Sequence, residues 1–240
     1  MVNRLIVVLG SGPGLGVATG SKFAAQGFDV ALLARNAERL QEDVATVQKA
    51  ASNVKVQPYT VDISDHVALS KTLKKVEDEM GAPEVVYFNA ARVGPSKIGE
   101  TPPDHLLEDF KTMNIGLYTA ATWAIPHLTA AAGRPGAHPS FFLSNGAIYE
   151  QPIAGFFALS MQKAAQFNLT SSLRQILGPK GVHVAVITIA AIIRDDHPVL
   201  NPKNIAAQYW KLYEQNEDSW DFNVPMGDIQ ELHDILRGGQ

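Results

Sequence analysis

The stretch Leu5–Arg35, LIVVLGSGPGLGVATGSKFAAQGFDVALLAR, decides the fold of this chain. It starts with an apolar run, continues through a glycine-rich turn and a helix-like segment, and ends in a second apolar run. This order predicts a strand, a tight turn and the N-terminus of a helix in succession. Glycines let the backbone approach a ligand closely, and the N–H groups at a helix N-terminus attract anions. The stretch therefore predicts a phosphate-binding site.

The spacing of the glycines supports a phosphate site but does not match the usual dinucleotide pattern. Gly10, Gly14 and Gly16 form the pattern G-x-x-x-G-x-G, which differs from the commoner dinucleotide pattern G-x-G-x-x-G. A plain strand-to-helix turn is the alternative interpretation. The second apolar run favours the phosphate site, since it arrives where a β–α–β unit needs its next strand. We expect the phosphate to be held by Gly10, Ser11, Gly12, Gly14, Leu15 and Gly16.

The composition is that of one globular domain, which we expect to span residues 1–240. The chain has 46% hydrophobic and 18% charged residues and a net charge of −4, which indicates neither nucleic-acid nor membrane binding. It contains no cysteine, which excludes disulfides and cysteine–zinc sites, and its scattered histidines predict no metal site. No apolar run is long enough for a signal peptide or a membrane span, so we expect a soluble, cytoplasmic protein.

Apolar runs alternate with helix-like segments along the chain. The predicted strands are 5–9, 28–34, 54–59, 84–88, 139–144, 182–188 and a short one near 219–224. The predicted helices are 14–26, 37–51, 65–80, 103–132, 155–177 and about 201–215. This alternation predicts an α/β fold, a Rossmann-type doubly wound parallel sheet of about seven strands with helices on both faces. The aromatic-rich segment 195–225 is expected to cover the substrate, the alternative being that its aromatics cap the core.

Several short motifs follow one another in a fixed order. Asp62-Ile63 comes after the third predicted strand, and Phe88-Asn89-Ala90-Ala91 ends the fourth. Asn114 lies within MNIGLY, and Lys163 lies within QKAAQFNL. With the glycine loop, these motifs make the chain resemble the short-chain dehydrogenase/reductase family over nearly its whole length.

The resemblance implies a role for each motif. The glycine loop would hold a dinucleotide, Asp62 and Ile63 would contact its adenine ring, and Lys163 would bind the nicotinamide ribose. Asn114 would hold a water molecule in the family's proton relay. The remaining cofactor contacts that the resemblance implies are Asn89, Ala90 and Ala91 after the fourth strand, and Ala190 and Ile192 after the sixth.

Arg35, at the end of the second predicted strand, indicates which dinucleotide is bound. A carboxylate at this point would accept hydrogen bonds from a free ribose 2′-OH, and the chain has none there. A guanidinium suits a 2′-phosphate, and Asn36 and Ser11 would add donors. We therefore expect NADP(H) to be preferred over NAD(H). The alternative is that Arg35 is a solvated loop residue.

The chain departs from the family's pattern at the residues that carry the chemistry. The family places a tyrosine four residues before the lysine, whereas this chain has Leu159, which has no proton to transfer. The family's substrate-binding serine aligns with Asn145, or with Ser144 if the alignment shifts by one. Only one of these two neighbours can face the substrate, since side chains alternate along a strand. If Asn145 is the one that faces the substrate, its side-chain amide would donate a hydrogen bond to a carbonyl oxygen.

A replacement for the tyrosine is not obvious from the sequence. Tyr149 is a candidate acid because it follows the fifth predicted strand, although a lone loop tyrosine is more often a packing residue. The other candidates are His197, Tyr209, Tyr213 and Lys163 itself.

Three functions remain open at this point. The first is an NADP(H)-dependent oxidoreductase that acts on a carbonyl, an alcohol or an imine. The second is a non-redox enzyme, such as a cyclase, an isomerase or a dehydratase, on the same scaffold. The third is a protein that binds NADP(H) without turnover. We expect a small-molecule substrate as a partner, and a homodimer or homotetramer because segments 103–132 and 155–177 carry apolar residues on several faces.

Overall fold

A computed structural model describes residues 4–238 of the chain. Seven strands form one parallel sheet in the order β3-β2-β1-β4-β5-β6-β7. The strands are β1 (Leu5–Leu9), β2 (Asp29–Ala34), β3 (Val56–Thr60), β4 (Val85–Phe88), β5 (Ser140–Gly146), β6 (His183–Ile189) and β7 (Asn223–Met226). The helices are α1 (Leu15–Ala24), α2 (Ala37–Ala50), α3 (His66–Met80), α4 (Pro103–Phe110), α5 (Gly116–Ala132), α6 (Phe157–Leu177), α7 (Pro202–Tyr213) and α8 (Ile229–Gly238).

Helices cover both faces of the sheet, which confirms the predicted doubly wound fold. One apolar layer joins the sheet to α3, α5 and α6, and the other joins it to α1, α2 and α7. The central strands are apolar at every position because both of their faces are buried. Within residues 4–238, no helix is both long and apolar enough to cross a bilayer.

The predicted helix over 103–132 is wrong as a single α-helix. The structure divides it into α4, a π-helical turn at Lys111–Ile115, and α5. Residues 103–132 carry apolar side chains on several faces, so a π turn within them leaves no distinct sign in the sequence. The seventh strand begins at Asn223 rather than near 219, and helix α8 follows it without having been predicted.

Helix α7 lies against α1 on one face of the sheet. The rings of Trp210 and Tyr213 meet Phe23 and Phe28 edge to face, at centroid distances of 5.2 to 6.2 Å. The aromatic residues of α7 therefore pack in the core, which was the alternative to a substrate-covering role. The segment that approaches the C-terminal edge of the sheet is α8, whose Leu232 packs against Leu159 and its neighbours.

Two glycines of the loop after β1 have steric reasons to be glycine. Gly10 has φ +95°, and a Cβ atom there would lie 2.5 Å from the backbone nitrogen of Ala90. A Cβ atom on Gly16 would lie 2.7 Å from the carbonyl oxygen of Gly10. By contrast, no atom lies within 4 Å of the Cβ position of Gly12 or Gly14. The first pair packs the loop against the sheet, while the second pair leaves open space beside it.

This contrast gives a matched test of the loop. Gly10→Ala should lower the free energy of unfolding by about 2–4 kcal/mol, because the new methyl group meets the Ala90 backbone in a left-handed conformation. Gly12→Ala is the control and should change stability by less than about 1 kcal/mol. Urea unfolding followed by circular dichroism measures both. Equal losses in the two variants would contradict the assignment.

Candidate functional site

A cleft of about 470 Å³ opens where the strands reach their C-terminal ends. It lies at the point where the strand order reverses, between β1 and β4, which is where ligands bind in open α/β sheets. Of the residues predicted from the sequence, the cleft is lined by Gly10, Ser11, Leu15, Arg35, Asp62, Ile63, Asn89, Ala90, Ala91, Ser144, Asn145 and Lys163. One cleft thus brings together residues that follow five different strands.

The glycine loop closes the cleft beneath the N-terminus of α1. The amides of Gly10 and Ser11 both donate to the carbonyl of Leu33, which ties the loop to β2. Gly14 is the N-cap residue of α1, and its open side leaves the first turn of the helix accessible. N–H groups in a first helical turn lack intrahelical acceptors. The first turn of α1 contains no acidic side chain that could accept hydrogen bonds from them. This part of the cleft suits a phosphate.

Arg35 and Asp62 both line the cleft, and the charge of Arg35 acts on the Asp62 carboxyl group. Burial opposes the ionisation of Asp62, but two hydrogen bonds from Ser64 and the positive charges of Arg35 and Arg92 lower the pKa of its carboxyl group. Across the described part of the chain, Arg35 has no carboxylate within ion-pair distance. A carboxylate and an uncompensated guanidinium therefore remain available to a ligand.

Of the two donors expected beside Arg35, the Ser11 hydroxyl has another partner, whereas Asn36 uses only its side-chain oxygen. The Ser11 hydroxyl donates to the buried carboxylate of Asp43 at 2.7 Å. The side chain of Asn36 is the N-cap of α2 and accepts from the amide of Arg39. Asp43 also receives Arg39 Nε at 3.2 Å. The bond to Asp43 fixes the loop to α2 and engages the Ser11 hydroxyl, while the Nδ2 donor of Asn36 has no partner among the described residues.

Asn89 joins the end of β4 to the glycine loop. Its Nδ2 donates to the Gly10 carbonyl at 3.0 Å, and its Oδ1 accepts from the Tyr87 hydroxyl at 3.1 Å. Ala90 and Ala91 follow along the cleft wall, where a small side chain at Ala90 permits the close approach of Gly10. The turn after β4 is thus held in place by polar contacts on both sides.

The alternation of β5 decides between Ser144 and Asn145. The Ser144 hydroxyl lies 2.6 Å from the Tyr87 hydroxyl and 3.0 Å from the Tyr209 hydroxyl, on the face of the sheet that α7 covers. Asn145 points to the opposite face, where its Nδ2 donates to the backbone carbonyl of Lys163 at 3.3 Å. Its Oδ1 is buried and has no partner among the described residues. Asn145 is therefore the one of the two that stands beside the lysine.

Lys163 is a buried amine without an acidic partner in the described part of the chain. Its Nζ donates to the carbonyl of Ser144 and to Oε1 of Gln166, each at 3.0 Å. Burial lowers the pKa of Lys163 to about 7. These two acceptors take two N–H bonds of the amine. The remaining position is a lone pair in the neutral amine and a third N–H bond in the ammonium form, and it is left for a ligand. Such a group can hold or release a proton near neutral pH.

Asn114 lies in the π-helical turn between α4 and α5, behind the lysine. Its Nδ2 donates to Oε1 of Gln162 at 2.6 Å, whereas its Oδ1 is buried and lacks a partner among residues 4–238. Gln166 donates to the carbonyl of Met113 in the same turn at 2.8 Å. The π turn therefore anchors α6 through two glutamines, and π turns are frequent at functional sites.

Apolar side chains surround Leu159, which lies four residues before Lys163 on α6. Leu159 packs with Met113 and Ile148 in a small cluster that Phe156 and Leu232 border. Leu159 and Ile148 also line the cleft. The end of the cleft near Lys163 thus combines an apolar wall with a single buried amine. An apolar wall of this kind lowers the polarity around the amine.

The other candidate acids lie away from the cleft lining. The Tyr149 ring stacks on Phe167 at 4.2 Å, and its hydroxyl accepts a long hydrogen bond from Asn223. Tyr209 and Tyr213 are buried on the α7 side of the sheet.

His197 is held within its own loop. Its Nδ1 accepts from the amides of Val199 and Leu200, and its Nε2 faces the Glu231 carboxylate at 3.2 Å. Ile189, the last residue of β6, and Ile193 in the loop that follows line the cleft. Ala190 is buried with its amide bonded to the Met226 carbonyl, and Ile192 is exposed.

Sequence reasoning missed several residues of the cleft. Arg92 directly follows the predicted Asn89–Ala91 turn, and a charged residue there was a signal that could have been used. The other missed lining residues are Ala34, Val93, Thr112, Gly146, Ile148 and Ile193. Most of these are apolar, and nothing in the sequence separates an apolar residue of a cleft from one of the core. Within residues 4–238, no group of histidine, aspartate and glutamate side chains is arranged to hold a metal ion.

The chain is similar in sequence to known proteins over most of its length. The protein-family model for short chain dehydrogenase matches residues 4–195. An uncharacterized oxidoreductase of Mycobacterium tuberculosis is 35% identical over 103 residues, which cover 41% of this chain and 41% of the relative. The chain spans about half the length of the curated relatives it matches.

Solved structures share the fold over nearly the whole chain. A short-chain dehydrogenase from Rhodopseudomonas palustris has a TM-score of 0.82 at 23% identity, covering 95% of this chain and 99% of its own. An NADPH-bound short chain oxidoreductase from Pseudomonas aeruginosa PAO1, described as containing an atypical catalytic center, has a TM-score of 0.81 at 20% identity. That match covers 92% of this chain and 94% of the other.

The lowered pKa of Lys163 makes stability depend on pH in a defined direction. Between about pH 7 and 10.5 the unfolded chain keeps a proton on Lys163 that the folded protein has lost. The free energy of unfolding should therefore rise with pH through this window, by up to about 5 kcal/mol from this group. Lys163→Met lacks the group and should lack this part of the rise. Urea unfolding of both proteins across the window measures the difference, and parallel pH curves would contradict the prediction.

Proposed function

Since the chain belongs to the short-chain dehydrogenase family, we propose that it is an NADP(H)-dependent oxidoreductase that acts on a carbonyl, an alcohol or an imine. The observation that carries this proposal is the single cleft that joins an anion-binding glycine loop to a buried amine at Lys163. The relatives whose names are informative are oxidoreductases, among them 3-dehydrosphinganine reductase of Arabidopsis thaliana.

The residues of the cleft fit a phosphorylated dinucleotide. The open space beside Gly12 and Gly14 gives the N-terminus of α1 room for a diphosphate. Arg35, which has no acidic partner within ion-pair distance among the described side chains, suits a 2′-phosphate. Asp62 and Ile63 would flank the adenine, and Asn145 and Lys163 would flank the nicotinamide end. When bound, the dinucleotide supplies or accepts a hydride.

Lys163 is our proposed proton donor for reduction. Leu159 has no ionisable group, and Lys163 is the titratable side chain that lines this end of the cleft. In reduction, the ammonium group would give a proton to the oxygen or nitrogen that develops negative charge, and it would become a neutral amine. The carbonyls of Ser144 and Gln166 hold the remaining two N–H bonds in place, so the amine keeps its orientation after the transfer. An imine that arrives protonated would need no donor.

We also propose that the chain forms a homodimer or a homotetramer. Large apolar side chains are exposed on three neighbouring helices, with exposed fractions of 50% for Leu107 on α4, 59% for Tyr118 on α5 and 54% for Met161 on α6. Exposed apolar surface of this kind marks association.

Turnover with NADPH tests the proposed activity. Loss of NADPH absorbance with a panel of aldehydes, ketones and imines is the expected result. Conversion of a substrate without a change in the redox state of the cofactor would replace the proposal by a non-redox enzyme. Tight NADPH binding without turnover on the whole panel would replace it by a cofactor-binding protein.

Leu159→Tyr tests the reactive end directly. Residues four apart share one face of a helix, so the new hydroxyl would stand beside Lys163 on α6. We expect kcat/KM for carbonyl reduction to rise at least about tenfold, because a positioned acid typically contributes more than that. Leu159→Phe, which adds the ring without the hydroxyl, is the matched control and should give no gain. An equal gain in both variants would show that the hydroxyl is irrelevant.

The association is tested by placing charge on the exposed helices. The double variant Tyr118→Glu/Met161→Glu should reduce the mass measured by light scattering to that of a monomer, because burying two carboxylates in an apolar interface is unfavourable. Val67→Glu, at a residue that is 51% exposed on α3, is the control. A wild-type protein that is already monomeric would overturn the proposal.

A further inference from the structure

Arg92 stands in the wall of the cleft, directly after the Asn89–Ala91 turn. Its Nε donates to Oδ1 of Asp109 at 2.8 Å. Asp109, in the last turn of α4, is a buried side chain with 3% exposure, whereas the Arg92 side chain is 35% exposed. A buried carboxylate costs free energy unless it is paired, so this aspartate holds the arginine firmly in one position.

The ion pair with Asp109 engages only the Nε atom of the Arg92 guanidinium group. Oδ1 of Asp109 takes the arginine Nε, and Oδ2 faces Nε2 of His105 at 3.3 Å. Within the described residues, neither terminal nitrogen of Arg92 has a hydrogen-bond partner. A guanidinium held through Nε keeps both terminal N–H₂ groups free in a fixed plane, which is the arrangement that binds phosphate or carboxylate with two parallel hydrogen bonds.

The charge around Arg92 favours an anion. Arg92 acts on the carboxyl group of Asp62 together with Arg35, so both guanidinium groups lie at the same end of the cleft. Oδ1 of Asp62 accepts from both the amide and the hydroxyl of Ser64. The charge of Arg92 helps to lower the pKa of Asp62, but no ion pair within 4.0 Å joins the two groups among the described residues, and its partner Asp109 does not line the cleft.

We propose that Arg92, positioned by Asp109, binds a phosphate group of the dinucleotide from the cleft wall formed by the turn after β4. This inference rests on the proposed function, since it assumes that the dinucleotide lies in this cleft. It adds a second guanidinium to Arg35 and makes Asp109 a positioning residue, which acts on the ligand only through Arg92. The shared chemistry is phosphate recognition, and its source is either the 2′-phosphate or the diphosphate of the cofactor.

Dissociation constants for NADPH and NADH, measured by fluorescence titration, separate these two sources. Arg92→Leu should weaken NADPH binding by about tenfold or more, because a charge-assisted hydrogen bond to phosphate is lost. If NADH binding is unchanged, Arg92 contacts the 2′-phosphate. If NADH binding weakens by the same factor, it contacts the diphosphate. Either result supports the proposal, and unchanged binding of both cofactors would overturn it.

Further variants separate positioning from charge. Asp109→Asn keeps an acceptor for Nε but removes the charge, so it should weaken NADPH binding less than Arg92→Leu does. Arg92→Lys keeps the charge without the planar fork and should recover only part of the affinity. Arg174→Leu is the matched control, because Arg174 lies over the Phe222 ring outside the cleft. Thermal unfolding of each variant checks that a change in affinity does not reflect loss of the fold.

Arg35→Leu distinguishes failure of this inference from failure of the proposed function. If Arg35→Leu weakens NADPH binding while Arg92→Leu does not, the dinucleotide site stands and only the role of Arg92 is overturned. If the wild-type protein binds neither cofactor, the proposed function fails as well.

Discussion

The close contact between the backbones of Gly10 and Ala90 fixes where everything else in the cleft can stand. A methyl group at residue 10 would come within 2.5 Å of the Ala90 nitrogen, and Asn89 reinforces the contact through its bond to the Gly10 carbonyl. The two loops leave neighbouring parallel strands and then diverge to opposite faces of the sheet. The crevice between them exists because their first residues are pressed together and the following ones separate.

The two ends of the cleft differ in physical character. Around Arg35 and Asp62 the walls carry charges that remain open to a ligand, and solvent reaches them. Around Leu159 the walls are apolar, and the polar atoms of Asn145 and Lys163 are buried beneath them. The first end is suited to hold a charged molecule by direct electrostatic contact. The second is suited to change the charge of a group, since a buried amine titrates near neutral pH.

The sequence predicts what depends on local patterns and misses what depends on distant partners. The first six strands begin and end within two residues of their predicted limits, because most of them are apolar runs between polar segments; β3, with the sequence VQPYT, is the exception. Strand β7 is partly exposed, so its pattern is weaker. The choice between Ser144 and Asn145 required Tyr87 and Tyr209, which are 57 and 65 residues away from Ser144. The pairing of Arg92 with Asp109 likewise joins two segments that no local pattern relates.

Ser144 connects the two faces of the sheet at one point. Its carbonyl holds the Lys163 amine on one side, and its hydroxyl holds Tyr87 and Tyr209 on the other. In laboratory evolution of the reactive end, substitutions at different positions would therefore differ in how many other residues they disturb. Leu159 and Ile148 belong to one cluster that lines the cleft, so changes there stay on one face of the sheet. A change at Ser144 disturbs the lysine and the packing of α7 together, and has to be accompanied by compensating changes on both faces.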